Sequence, residues 1–134
     1  MKLLLDTNIF LEVILDQERA IEARTLLSEV EGHEFFISDY SLHSIGLLLF
    51  RRGRHEVFRQ FLKDMVLEAG VTVIALAAQE MEDIVQIARR FGLDFDDAYQ
   101  YVVAERHGLT IVSFDSDFDR TERGRKVPKD LLEG

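Results

Sequence analysis

The chain has no cysteine and no tryptophan, and its 134 residues include one proline, Pro128, and one asparagine, Asn8. Without cysteine it forms neither a disulfide framework nor a thiolate metal site. No apolar run approaches the ~18 residues that cross a bilayer. Leu3 to Leu5 is too short for a secretory segment, and Asp6 ends it at once. The expectation is a cytoplasmic protein. Positive charge is scarce too: 16 Lys and Arg stand against 25 Asp and Glu, a net charge of −9. A protein that holds nucleic acid by phosphate attraction alone is basic, so this balance argues against that mode. It permits another, in which carboxylates hold cations and the cations meet phosphates. It also suits a basic protein partner. The glycines are scattered singly, without a GxGxxG or GxxxxGK[ST] pattern, so no phosphate-cradling loop is present.

What is there is enough for one folded domain over residues 1–134. Hydrophobic residues make up 47% and charged residues 31%, a core-forming chain with a solvated surface. Lys2 to Leu5, Glu34 to Ser38, Val71 to Leu76 and Leu109 to Ser113 read as strands. Val127 marks a possible fifth, at an edge. Helical spacing appears between them. Asp6-Thr7-Asn8 caps a helix carrying Ile9, Phe10, Val13 and Ile14. Residues 17–31 show Ile21, Leu26, Leu27 and Val30 as an apolar side. The segment 41–51 is apolar almost all round (Leu42, Ile45, Leu47, Leu48, Leu49, Phe50). It needs cover on most of its surface, from the core or from a second copy of the chain. Residues 55–69 and 95–107 follow the helical period. So do residues 78–91, with Met81, Ile84, Val85, Ala88 and Phe91 on one face. Strands alternating with helices predict an α/β fold with a parallel sheet and helices on both faces.

The aspartates are unevenly placed. Six of the twelve lie in the 26 residues from Asp94 to Asp119, where even spacing would put about two. Asp6 follows the first strand directly. Asp115, Asp117 and Asp119 follow the fourth. Sites in open parallel sheets form at the carboxyl ends of strands, beside a switch in strand order. Asp6 and Asp115 meet there if their strands are neighbours. Asp94, Asp96 and Asp97 open the helix 95–107, and one of them has an ordinary role as a helix cap. Three do not. Like charges brought together raise one another's pKa unless a cation joins them. Aspartates without cysteine or a placed histidine favour a hard ion held by oxygen, Mg²⁺ or Mn²⁺. Such an ion suits phosphoryl transfer.

The segments LLLDTNIFL and DFDDAYQYVVAERHGLTIVSFDSDF, and the order of elements between them, resemble PIN domains. The VapC-type toxins of bacterial and archaeal toxin–antitoxin pairs are the nearest group. The resemblance implies a three-layer α/β/α sandwich with a central parallel sheet of four or five strands. It implies a Mg²⁺- or Mn²⁺-dependent endoribonuclease, an antitoxin partner and a homodimer, with the helix at 41–51 as the interface. By the same resemblance Asp6, Asp97 and Asp115 are the catalytic, metal-holding acids, with Asp94 and Asp117 as further ligands. Thr7, Asn8, Ser44 and Ser113 support them. The family's second acid is usually a Glu early in the helix after the second strand. Here that position is Ser44, beside His43, and no Glu occurs between Glu34 and Glu56. A site short of one charge holds metal more weakly. This raises an alternative: a PIN-like domain with little or no catalysis that acts by binding RNA or protein. Asp39 and His43 are the candidates to stand in.

Arg51, Arg52 and Arg54, with His55 and Arg59, form one basic cluster. Arg120, Arg123, Arg125, Lys126 and Lys129 form another. Either suits RNA phosphates or a solvated face that balances nearby acids. Tyr40, Tyr99 and Tyr101 suit base stacking or core packing.

Overall fold

The computed structural model describes residues 1–29 and 31–132. Four strands, β1 (Lys2–Leu5), β2 (Glu34–Ser38), β3 (Thr72–Ile74) and β4 (Thr110–Val112), form a parallel sheet in the order β3-β2-β1-β4. β1 is central. Its Leu3, Leu4 and Leu5 are fully buried, as expected of a strand covered on both faces. Each leucine contributes roughly 1.5–3 kcal/mol by leaving water.

The side-chain alternation of the strands divides the core in two. Leu3, Leu5, Phe35, Ile37 and Val112 pack with α1 (Thr7–Ile14), α2 (Ala20–Leu27), α3 (Asp39–Arg51) and α4 (His55–Phe61). Leu4 and Ile111 point the other way, toward α5 (Glu82–Phe91) and α6 (Phe95–His107). The result is the three-layer α/β/α sandwich. α6 lies deep in its layer, with every residue from Asp97 to Ala104 buried.

Local chemistry sets the helix ends. Asp6 caps α1 by accepting from the Thr7 N–H. Ser38 caps α3 by accepting from Ser41 N–H, and Asp94 caps α6 by accepting from Asp97 N–H. α5 and α6 stop at Gly92 and Gly108, whose left-handed φ values of 66° and 65° suit a residue without Cβ.

Several expectations need correction. α2 begins at Ala20 rather than 17, and Arg19 gives it no side-chain cap. Its buried face is Ala20, Ala23, Leu26 and Leu27, while Ile21 is 78% exposed. The small alanines let α2 approach its neighbours, and a larger side chain sits outside. Val30 lies outside the described residues. The segment 55–69 is α-helical only to Phe61 and continues as a π-helix over Leu62–Glu68. A 3₁₀ turn over Ala78–Met81 precedes α5, which buries Ile84 and Ile87 and packs Ala88 and Phe91 against the same core, while Met81 and Val85 are exposed. No full fifth strand forms among the described residues. Lys126, not Val127, makes a single parallel bridge to Val112. α3 is also less covered than its composition suggests. Ser41, Ile45 and Leu49 are buried, but Leu47 and Phe50 are 43% and 52% exposed. With Leu42, Gly46 and Phe58 they line an apolar groove between α3 and α4.

Candidate metal centre at the sheet's carboxyl edge

The strand order places the switch point between β1 and β4. Leu5 stands beside Val112, and Asp6 N–H donates to the Val112 carbonyl at 2.9 Å. The chain therefore leaves both strands at the same place, and Asp6 and Asp115 converge. α6 delivers a third acid: the Asp94 cap fixes its first turn and holds Asp97 at the same edge.

Oxygens of Asp97, Asp115 and Asp117 lie within 4.8 Å of one another. Asp97 is buried, Asp115 and Asp117 half-buried. Burial raises the Asp97 carboxyl to about pKa 8, with further pushes from the charges of Asp115, Asp94 and Asp6. Burial also raises Asp6, against the hydrogen bonds it accepts from Gln100, Ser113 and Thr7, and Asp115 adds to the upward push. All four acids thus stand in one electrostatic neighbourhood.

Asp6 is the most firmly held. Its Oδ1 accepts from Thr7 N–H at 2.9 Å and from Gln100 Nε2 at 2.9 Å. Its Oδ2 accepts from Ser113 Oγ at 2.7 Å and Asn8 Nδ2 at 3.4 Å. Asn8 is anchored in turn: its Oδ1 accepts from Phe114 N–H at 3.1 Å, and its Nδ2 lies 3.1 Å from Ser113 Oγ. Thr7 Oγ1 donates to Ser41 Oγ at 2.8 Å. Asp115 Oδ1 accepts from Asp117 N–H at 2.8 Å, which bends the chain so that both carboxylates face one space.

The structure thus brings Asp6, Thr7, Asn8, Asp97, Ser113, Asp115 and Asp117 to one edge of the sheet. Asp94 takes part through its charge and its cap, but its side is exposed. Asp96 is exposed and lies near the Tyr40 hydroxyl. Ser44 is half-buried and also adjoins that hydroxyl. Asp39 accepts a 2.6 Å bond from the Tyr99 hydroxyl, and both Asp39 and His43 line the apolar groove on α3. Burial and the Asp39 contact push Tyr99 up to about 12, so it stays a donor. Tyr99 and Tyr101 are core residues, 3% and 1% exposed, and have no face for a base.

Arg51, Arg52 and Arg54 are exposed near the far end of α3. Its 13 residues place that end about 18 Å from the start, at ~1.5 Å per residue. The tail arginines serve the fold. Arg120 donates to the Gly92 carbonyl, Arg123 to Leu109 and Arg125 to Ser113.

Two polar residues of the site escaped sequence reading, Gln100 and Ser41, both buried. A signal existed for the first. Gln100 lies one helical turn from Asp97 and is the only polar side chain between Asp97 and Glu105 apart from two tyrosines. Ser41 carried no signal beyond being polar at the start of an apolar helix.

The chain is thus a three-layer parallel α/β protein with carboxylates gathered at its switch point. The PIN domain family model matches residues 3–124, and the chain belongs to that family. Among curated proteins, none matches the sequence. Solved structures of toxin–antitoxin proteins share the fold. The VapBC2 complex of Rickettsia felis, solved on a promoter DNA fragment, aligns with TM-score 0.75 at 18% identity, over 94% of this chain and 97% of that one. VapC20 of Mycobacterium tuberculosis, a toxin that cleaves the sarcin–ricin loop, aligns with TM-score 0.72 at 21% identity, over 87% and 92%. A toxin–antitoxin complex from Klebsiella pneumoniae aligns with TM-score 0.69 at 22% identity, over 93% and 96%.

The residues fit a hard divalent ion. The donors are all carboxylate oxygens, and three residues bring them into one space. Asp97 is raised first by burial and then by repulsion from its neighbouring acids, and the repulsion is what a cation would relieve.

Proposed function

We propose that the protein is a Mg²⁺- or Mn²⁺-dependent endoribonuclease, the toxin half of a toxin–antitoxin pair. The observation that carries this reading is the convergence of Asp97, Asp115 and Asp117 beside a buried, fully oriented Asp6. Asp6, Asp97 and Asp115 are the catalytic acids and metal ligands, and Asp117 and Asp94 complete the negative field. A divalent ion bound there supplies charge neutralisation at the phosphate and lowers the pKa of a water. The chain's own residues do the rest. Ser113, Thr7 and Asn8 hold Asp6 in one rotation. The burial of Asp97 raises its affinity for a positive charge of either kind, proton or metal. The RNA follows from the resemblance to the toxins and from the fit of such a centre to a phosphodiester. The cluster Arg51, Arg52 and Arg54 is a candidate contact for RNA beyond the scissile bond.

Ser44 supports a second reading, in which catalysis is weak or lost and the domain works by binding RNA or protein. It leaves the site without the acid usual in the family, and no other Asp or Glu of α3 replaces it within the cluster among the described residues.

For partners, we propose an antitoxin and a second copy of the chain. The exposure of Leu47 and Phe50 on α3 supports an interface there. No helix among the described residues is long and apolar enough to cross a membrane.

The test is cleavage of RNA by the wild type and by Asp97→Asn, with Mn²⁺ and with EDTA. The nuclease reading expects cleavage only by the wild type with metal. Absence of cleavage with either Mg²⁺ or Mn²⁺ would favour the binding domain, and equal cleavage by Asp97→Asn would remove the acids from the reaction.

A further inference from the structure

From Ala98 to Ala104, α6 runs Ala, Tyr, Gln, Tyr, Val, Val, Ala, and all seven residues are buried. Gln100 is 1% exposed. Its Nε2 makes both of its side-chain hydrogen bonds, 2.9 Å to Asp6 Oδ1 and 2.7 Å to Ser41 Oγ. Its Oε1 is buried and has no partner. A methionine or leucine would fill this space with no orphan oxygen of its own, but it would take a donor from Asp6 Oδ1 and from Ser41 Oγ. On the Oε1 side alone the amide costs the core. Turning it over would not help, because Oε1 would then face Asp6 Oδ1, two acceptors opposed. Something other than packing explains an amide here, and only Asp6 and Ser41 receive what it offers.

We propose that Gln100 is a positioning residue for Asp6. Ser113 holds one carboxylate oxygen from the β4 side, and Gln100 holds the other from the α6 side. Between them the carboxylate keeps one rotational state in which to meet a cation. The amide N–H also supplies a neutral donor to a buried anion, where a further acid would add repulsion. Ser41 extends the device, since its hydroxyl receives both Gln100 Nε2 and Thr7 Oγ1 and so ties α3 to α1 and α6 around Asp6. The unsatisfied Oε1 is tolerated because the useful end of the amide faces the acid. This inference rests on the metal-centred reading of the site.

The experiment compares the full chain with Gln100→Met and Asp97→Asn. Mn²⁺ binding is followed by calorimetry, and thermal unfolding is followed separately in EDTA. Gln100→Met is expected to bind Mn²⁺ roughly 10–100-fold more weakly, the usual effect of losing a partner that orients a metal ligand. Its melting temperature in EDTA is expected to fall modestly, because buried Asp6 Oδ1 loses a donor while the orphan oxygen goes with it. Val103→Ala, at a buried position of the same helix outside the site, is the packing control: it lowers the melting temperature and keeps the Mn²⁺ affinity. Unchanged Mn²⁺ affinity in Gln100→Met overturns the proposal. So does an equal loss of Mn²⁺ affinity in Val103→Ala, which would show that Gln100 acts through packing. Asp97→Asn separates the role of Gln100 from the metal centre itself. If it loses Mn²⁺ while Gln100→Met keeps it, only the role of Gln100 fails. If wild type and Asp97→Asn take up Mn²⁺ alike, or neither takes it up at millimolar levels, the metal centre itself fails.

Discussion

Ser113 and Asp6, 107 positions apart in the chain, share a 2.7 Å hydrogen bond in which the hydroxyl donates to Oδ2. The same Oγ accepts from Asp115 N–H at 2.9 Å. One buried hydroxyl thus locks the acid after β1 to the loop that carries the acid after β4. Ser113→Ala would leave a carboxylate oxygen and a backbone N–H short of a partner. The expected loss is about 1–3 kcal/mol of unfolding free energy in EDTA, measured by urea titration, with weaker Mn²⁺ binding beside it.

The raised pKa of Asp97 makes stability depend on pH in a defined direction. In the folded chain this carboxyl titrates at about 8 instead of near its ordinary 3.8, and Asp6 is raised as well. Between those values the folded state holds protons that the unfolded state has released. The contribution is therefore full below pH ~4 and declines as the pH rises through ~8. In EDTA, the melting temperature is expected to fall between about pH 5 and pH 9. Mn²⁺ should reduce or reverse that fall, since a bound cation replaces the proton. A melting temperature that rises across this window in EDTA contradicts the geometry.

Asp97→Asn removes the charge that the fold resists. In EDTA near pH 9 this variant should be more stable than the wild type, and its melting temperature should vary less with pH. The same substitution should abolish stabilisation by Mn²⁺. A variant less stable than wild type at high pH would mean that Asp97 is held ionised by groups outside the acid cluster.

Ser44→Glu tests the missing acid. Placed one turn beyond Ser41, whose hydroxyl already belongs to the shell of Asp6, a carboxylate adds charge toward the cluster. Tighter Mn²⁺ binding is expected in calorimetry, together with a lower melting temperature in EDTA. Unaltered Mn²⁺ affinity would place position 44 outside the centre.

Gly108 ends α6 at φ 65°, and a Cβ there would meet nothing within 4 Å. Gly108→Ala therefore carries backbone strain alone, about 1–2 kcal/mol for a left-handed residue. The urea midpoint should drop with an unchanged slope, and Mn²⁺ binding should stay as in wild type.

Much of this protein was legible because its signals are local. Leu3–Leu5 reads as a doubly covered strand without knowledge of its neighbours. Asp94 and Gly108 bracket α6 by cap chemistry. The aspartates placed after strands marked the sheet edge where a site would form. The exact buried face of two helices was not legible. Ile21 and Val85 fit their helical period, yet they face outward, because α2 buries Ala20 and Ala23 and α5 buries Ile87 beside Ile84. The tail arginines suited either RNA phosphates or a solvated face, and the structure shows a third role, since Arg120, Arg123 and Arg125 each donate to a backbone carbonyl.

The sequence by itself determined the order of the elements, the parallel arrangement and which acids follow a strand or open a helix, since those depend on side-chain period, capping and residue type within a few positions. Only the tertiary structure decided how the acids are held. Gln100 reaches Asp6 across 94 positions and Ser113 across 107. The strand order that puts β1 beside β4 creates those contacts. A hydrogen bond depends on where two chain segments end up in space, and no spacing along the chain encodes that distance.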